Sequence, residues 1–332
     1  MLKLTAAEKT AYNKIKAGFE NYATSIDISG VDKNIDIMNV FKAVIHDHPQ
    51  FIYFNNSQIG TVNSFFGQSI KLSGCINKSK ALKMLNECYA AAYPIIETAR
   101  QKKDAYQQLI TIYEYLQSRI IYDKDELHAV SKNRAGNQLS HNMYGALVVQ
   151  KAVCDGFSAA FQYVASHLGY RSTVINGKSD HCSFGNVNHA WNMIEIAGNY
   201  YHLDLTWDSC HFAEHNEYSY SWFLHDDEGI LADHTWDVNT TYAATDATLS
   251  FYNQNGLFVT CERDIIAVIK KGISNSGNLV RLRCSENVWN AKPMDEYLVD
   301  LVLNTAVNYL NRSIQITYHW NEKTRCFSAK IF

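Results

Sequence analysis

Cys154 stands immediately before Asp155-Gly-Phe-Ser, at the head of a run in which Phe157, Phe161, Val164 and Leu168 recur at helical spacing. A sulfur placed there lies at or next to a helix amino terminus. Unpaired N–H groups and the helix dipole at such an end favour an anion, which lowers a thiol pKa and raises its thiolate fraction. A cysteine taken alone is more often a small buried hydrophobe, but two further residues bear on it. His189 opens the strand-like His-Ala-Trp-Asn-Met-Ile-Glu-Ile, and Asp204 lies in the returning Tyr200-Tyr-His-Leu-Asp-Leu-Thr-Trp. Side chains two apart on a strand share a face. If Ile196 pairs with Asn199 around Ala197-Gly198, His189 faces Thr206 and Asp204 is its same-face neighbour, whereas a one-residue slip separates them. A thiol, an imidazole and a carboxylate so arranged are a nucleophile, a base and the group that orients the base.

The elements that must position these residues follow from periodicity and punctuation. Leu4 to about Tyr22 and Ile35 to Ile45 read as helices, the second ended by His48-Pro49. Phe51-Ile-Tyr-Phe and Gln68 to Leu72 read as strands, and Lys78 to about Ile121 as two helices broken or kinked near Pro94. Gly169 caps the helix that follows Cys154. Ser172 to Asn176 reads as a strand and Gly177 to Asn188 as a polar loop. Ala190 to Ile196 and Tyr200 to Leu205 then read as two strands about Ala197-Gly-Asn. Beyond Tyr242, strands are expected at 257–260 and 279–284, helices at 264–271 and 294–310, and a closing hairpin turning at Asn321-Glu-Lys-Thr.

Composition narrows the function classes. The 332 residues are 47% hydrophobic and 19% charged, with a net charge of −3 and no long like-charge run. That leaves no electrostatic footprint for nucleic acid and no polybasic patch for a membrane. No apolar stretch approaches the ~20 residues of a membrane helix. The start, Met1 to Lys9, reaches a charged pair before any apolar run, so the expected location of the chain as given is cytoplasmic. Its eight cysteines form no C-x-x-C pair and are read as mostly reduced. His181, Cys182, His202, Cys210, His211 and His215 crowd one region. Only Cys210-His211-x-x-x-His215 has ligand-like spacing, where structural zinc sites show two close pairs. The expectation is therefore no metal and no cofactor, and the absence of a closely spaced acidic pattern extends it to calcium. Oligomeric state stays open.

Ala152-Val-Cys-Asp-Gly-Phe-Ser-Ala-Ala-Phe, Asn188-His-Ala-Trp-Asn-Met-Ile and Tyr200-Tyr-His-Leu-Asp-Leu-Thr-Trp-Asp together resemble the transglutaminase-like superfamily of papain-like thiol enzymes, of bacterial type. The resemblance runs from about Asp104 to about Asp237. It takes in Ile121-Tyr-Asp, His141-Asn-Met-Tyr-Gly-Ala-Leu, and Ser221-Trp-Phe-Leu-His-Asp-Asp-Glu with His234. It implies an α+β protein with a papain-like transglutaminase core at 104–241, between mixed α/β flanking regions at 1–103 and 242–332. It also implies Cys154 as nucleophile, His189 as general base and acid, and Asp204 as the orienting carboxylate of a Cys-His-Asp triad.

The Cys154 N–H is the expected first oxyanion donor. The second is sought among Tyr144, Asn142 and Gln150, with Tyr144 preferred, and Trp191 is a further candidate for lining the substrate. The expected reaction is acyl transfer at an amide carbonyl of a peptide or protein substrate, through a thioester. Hydrolysis or deamidation ranks slightly above amine cross-linking, and a catalytically silent binding or assembly module is the alternative from another class.

Overall fold

A computed structural model describes residues 3–54, 59–64, 67–132, 136–181, 185–275 and 278–332. The chain is α+β. Its first part packs α1 (Ala6–Glu20) and α2 (Ile37–Asp47) against a sheet in the order β1 (Ser25–Asp27), β3 (Gly67–Leu72), β2 (Ile59–Ser64). Thr5 and Glu8 form a capping box on α1, satisfying two otherwise unpaired N–H groups. Ile15, Phe19, Phe41 and Ile70 fill the interior of this part. Phe51 to Phe54 is irregular rather than a strand, and its aromatic rings pack on Phe19.

The next helix, α3 (Lys78–Arg100), carries Pro94 inside it without breaking. The break falls at 101–104, where Asp104 caps α4 (Ala105–Gln117) by accepting from the Gln107 N–H. An aspartate competing for backbone N–H groups starts a new helix here more effectively than the proline ends the old one. From Cys88 onward the buried face of α3 joins the central core with Tyr113, Phe157, Phe161 and Phe223.

That core is a helix buttressed by a twisted antiparallel sheet. β4 (Ile121–Tyr122) leads through α5 (Lys124–Ser131) to β5 (Lys151–Ala152), which pairs parallel with it. α6 (Cys154–Ser166) follows directly. β6 (Arg171–His181), β7 (Gly185–Ile196) and β8 (Asn199–Leu203) make a meander. The expected polar loop at 177–188 is instead, where described, the outer half of the long β6–β7 ladder, with Gly177 opposite His189. The chain then turns into α7 (Leu205–His215), α8 (Asp227–Ile230) and β9 (His234–Thr235), which adds to the free edge of β6.

The last part contains α9 (Phe251–Gln254), β10 (Phe258–Val259), α10 (Ile265–Ser274), β11 (Leu279–Cys284), α11 (Glu286–Trp289), α12 (Met294–Leu310), β12 (Ile316–Asn321) and β13 (Cys326–Ile331). Its sheet has the order β10-β11-β13-β12 and a separate apolar core. Arg283 of this sheet donates to His225 Nδ1 at 3.0 Å and so ties it to the central part. Among the described residues no helix is long and apolar enough to cross a membrane.

Candidate active site

Cys154 is the first residue of α6, and its helix is fixed to the sheet within one turn. Ser158 Oγ donates to the Ala190 carbonyl at 3.3 Å, and Asn192 Nδ2 donates to the Ser158 carbonyl at 3.1 Å. The Ala190 N–H meets Cys154 Sγ, which places the sulfur beside the residue that follows His189. Gly156 permits this packing, since a Cβ there would lie 2.5 Å from the Ser140 carbonyl oxygen.

Ile196 does pair with Asn199, about a turn with Ala197 and Gly198 at positive φ, and Asn192 pairs with Leu203. Pairing stops there. Asp204 is not a strand residue but the N-cap of α7, its Oδ1 accepting from the Thr206 N–H at 2.8 Å. Its other oxygen, Oδ2, takes His189 Nε2 at 2.7 Å. The carboxylate thus closes a helix with one oxygen and orients an imidazole with the other. His189 and Asp204 are 4% and 0% exposed, so their interaction is poorly screened. The partnering imidazoles outweigh burial and hold the Asp204 carboxyl well below the usual range.

Burial reverses the expectation for the thiol. It pushes the Cys154 pKa well above the ordinary value, and the neighbouring Asp155 carboxylate pushes the same way. The thiol donates to Asp155 Oδ1 at 3.3 Å. Asp155 itself takes His141 Nδ1 at 2.9 Å, and His141 Nε2 lies 3.0 Å from Glu126 Oε1. With a carboxylate at each nitrogen, His141 is held protonated against burial, its pKa near 9. The resting sulfur is therefore a thiol bonded to an anion. The helix end alone would favour the thiolate, but Asp155 sets an anion beside it.

Of the three residues expected as a second oxyanion donor, Tyr144 and Asn142 have side chains bonded to other partners. The Tyr144 hydroxyl donates to Glu87 Oε2 at 2.7 Å. Asn142 Oδ1 accepts the Tyr144 and Gly145 N–H groups, while its Nδ2 donates to the Gln138 carbonyl. Gln150, exposed and in the left-handed region (φ 62°), lines a pocket beside Pro94 and Arg119. Trp191 is fully buried and donates from its indole to His202 Nδ1 at 3.0 Å, so it packs the sheet and lines no groove.

Tyr122 sits nearer the thiol. Register puts it opposite Ala152, two residues before Cys154, and its ring lies over Phe157 with centroids 6.3 Å apart. Its hydroxyl is held neutral, chiefly by burial and then by Cys154. Sequence reading had the Ile121-Tyr-Asp block but no reason to bring it to the thiol.

Trp207 stacks on His189, and both Tyr122 and Trp207 border a cleft of about 460 Å³ that runs to Arg281, Trp320 and Phe327 of the last sheet, a cleft that Cys154, His189 and Asp204 do not themselves line. Of the other aromatic residues flanking the catalytic strands, Tyr201 donates to Asp246 and Tyr200 stacks on Tyr242. His211 and His215 pack against His319 with tilted and edge-on rings, and with Cys210 they form no metal-like group among the described residues. Among the described residues only His189, Asp204 and His234 present three potential ligand atoms within 4.8 Å of one another. Those atoms are already spent in contacts among the three side chains, which is the pattern of a proton network. Cys182 lies outside the described residues.

The segment containing Cys154, His189 and Asp204 also matches a known family. Residues 95–205 match the transglutaminase-like superfamily. Comparison with curated protein sequences gave no match. Among solved structures, this chain is similar to a TGase at 15% identity and a TM-score of 0.35, over 45% of this chain and 44% of that one. It is also similar to a candidate cysteine protease from Cytophaga hutchinsonii, at 11% identity and a TM-score of 0.28, over 45% and 61% of the two chains. The chain therefore spans about half the length of these structures.

Proposed function

We propose that this protein carries out thiol-dependent acyl transfer at an amide carbonyl of a peptide or protein, with Cys154, His189 and Asp204 as its triad. The observation that carries this reading is the buried 2.7 Å contact between His189 and Asp204, beside a cysteine held by the Ala190 N–H at the start of α6. Because burial and Asp155 keep the resting sulfur protonated, no standing thiolate attacks. His189 removes the thiol proton as the sulfur adds to the carbonyl carbon. The developing oxyanion lies at the helix end, where the Cys154 N–H is one donor. Tyr122, whose strand pairs with Ala152 two residues before Cys154, is the candidate second donor.

The protonated His189 then passes its proton to the leaving nitrogen, the C–N bond breaks, and a thioester remains on Cys154. A water molecule, deprotonated by His189, attacks the thioester. The tetrahedral adduct collapses to the free acid, and the thiol regains the proton. A primary amine arriving first would give a new amide instead. Hydrolysis or deamidation is favoured over that outcome because a transglutaminase must shield its thioester from water with an apolar channel. Among the described aromatic residues flanking these strands, Trp207 and Trp191 both stack on His189, but Trp191 and Tyr201 are buried in the core and only Trp207 of these three borders the cleft.

The deciding experiment supplies a glutamine peptide and a labelled primary amine, and follows free acid, ammonia and the intact protein mass. Acid and ammonia release without label incorporation, abolished in Cys154→Ala, is the expected result. Label incorporation outrunning release would assign cross-linking. An intact mass that never shows an acyl adduct, with turnover unchanged in Cys154→Ala, would end the reading.

A further inference from the structure

A second histidine reaches the triad and takes no part in the reaction above. His234 arrives from a distant segment, because the short strand β9 pairs with β6 at Ser179. Gly177 permits the approach, since a Cβ there would lie 2.2 Å from the Thr235 carbonyl oxygen. His234 Nε2 sits 3.1 Å from Asp204 Oδ2, the oxygen already bonded to His189. His234 Nδ1 makes an ion-pair contact with Asp233 Oδ1, off the line of a hydrogen bond. Both carboxylates and both rings are buried.

Carboxylate oxygens only accept, so a ring with one at each nitrogen carries a proton on both. The alternative sets a bare nitrogen lone pair against an anionic oxygen. Burial opposes the charge, but the two carboxylates prevail and raise the His234 pKa to about 9. The histidines around it are of the other kind. His202 accepts the Trp191 indole N–H on Nδ1 and faces Asp227 with Nε2, while His225 accepts from Arg283. Burial lowers both of their pKa values. Trp191 and Trp222 close the remaining faces of His234 with ring edges.

We infer that His234 is a positioning residue: a fixed imidazolium that partly neutralises Asp204 and so lowers the proton affinity of His189. The inference rests on the reading of His189 as the base. A lone buried carboxylate against His189 would favour its protonated form, and a protonated ring cannot take the proton of Cys154. The His189 and His234 centroids are 5.5 Å apart, with Asp204 between them. The other rings packed on His189, Trp207 from α7 and Trp191 from its own strand, are uncharged, and the Cys154 thiol is held at the neighbouring Ala190 N–H. His234 is therefore the cation that offsets Asp204 there.

The test is imidazole titration by NMR in the full-length chain carrying Cys154→Ala, which removes coupling to the thiol. His189→Gln identifies the signal. His234→Gln retains an N–H donor toward Asp204 but not the charge. Asp233→Asn leaves Asp204 and His234 in place and destabilises the imidazolium from its far side. In both variants the His189 pKa should rise by about one unit, roughly tenfold in proton affinity. A His189 pKa unchanged or lowered in folded variants would overturn the inference, and Asp233→Asn decides it if His234→Gln does not fold. Alkylation of Cys154 in the otherwise unaltered chain separates the two claims. If His189→Ala leaves that rate untouched, the base reading fails. If His189→Ala slows it while the NMR pKa does not move, only the role of His234 fails.

Discussion

The indole of Trp207 lies face to face on the imidazole of His189, with ring centroids 4.4 Å apart and planes within 7°. The indole N–H donates to Ser179 Oγ at 2.9 Å, so the sheet that delivers His189 also fixes its cover. This stack excludes water from one side of the base and presents an electron-rich face to the imidazolium that forms when the thiol proton arrives. Trp207→Phe keeps a ring there and should retain most activity. Trp207→Ala should lose about 3–5 kcal/mol of stability and most turnover. Thermal unfolding and peptide turnover on the same samples separate the two losses, and equal turnover in both variants would deny the stack a role.

The triad should behave as one unit. Cys154→Ala and His189→Ala are each expected to reduce turnover by about a thousandfold or more, with the double variant little worse, since either one disables the shared proton transfer. Asp204 demands a different substitution, because it also caps α7 and contacts His234. Asp204→Asn keeps a capping oxygen and should fold, with activity reduced less than in His189→Ala. Asp204→Ala adds the loss of a cap, about 1 kcal/mol. Multiplicative losses in the double variant would indicate independent roles.

Asp155 should restrain the nucleophile. Its carboxylate raises the Cys154 pKa, so Asp155→Asn lowers that pKa and increases the thiolate present at any given pH. Iodoacetamide labelling followed by peptide mapping should then show faster modification of Cys154, while buried Cys88 and Cys284 stay slow. A slower reaction at Cys154 in a folded Asp155→Asn chain would mean that the carboxylate activates the thiol instead.

Stability should fall on the alkaline side for a stated reason. Glu126 and Asp155 raise the His141 pKa from 6.5 to about 9 in the folded chain. A group whose folded pKa is raised contributes its full stabilisation below the unfolded pKa and loses it as pH climbs through the folded value. The melting temperature should therefore decline between about pH 6.5 and 9. His141→Gln should flatten that decline, which differential scanning calorimetry across the range would show.

Some of this was legible in the residues alone because it depends on local pattern. The helix after Cys154 follows from the spacing of Phe157, Phe161 and Val164. The 196–199 register follows from a turn that needs positive φ at Ala197 and Gly198, and α12 from its apolar period. That register ends β8 at Leu203, and the helix that starts just past it delivers Asp204 to His189.

What pattern could not reach was decided by chain segments far apart in sequence. Asp204 became a helix cap because pairing ended at Leu203, two residues short of the expected strand end at Leu205. Tyr144, Asn142 and Gln150 found Glu87, the start of a helix and a separate pocket. His234 joined the triad from thirty residues beyond Asp204, through a two-residue edge strand with too little pattern to read. The state of Cys154 is the sharpest case: a helix end favours its thiolate, but burial and the adjacent anion outweigh that end. Desolvation and charge depend on everything packed around an atom, and only the tertiary structure supplies those surroundings.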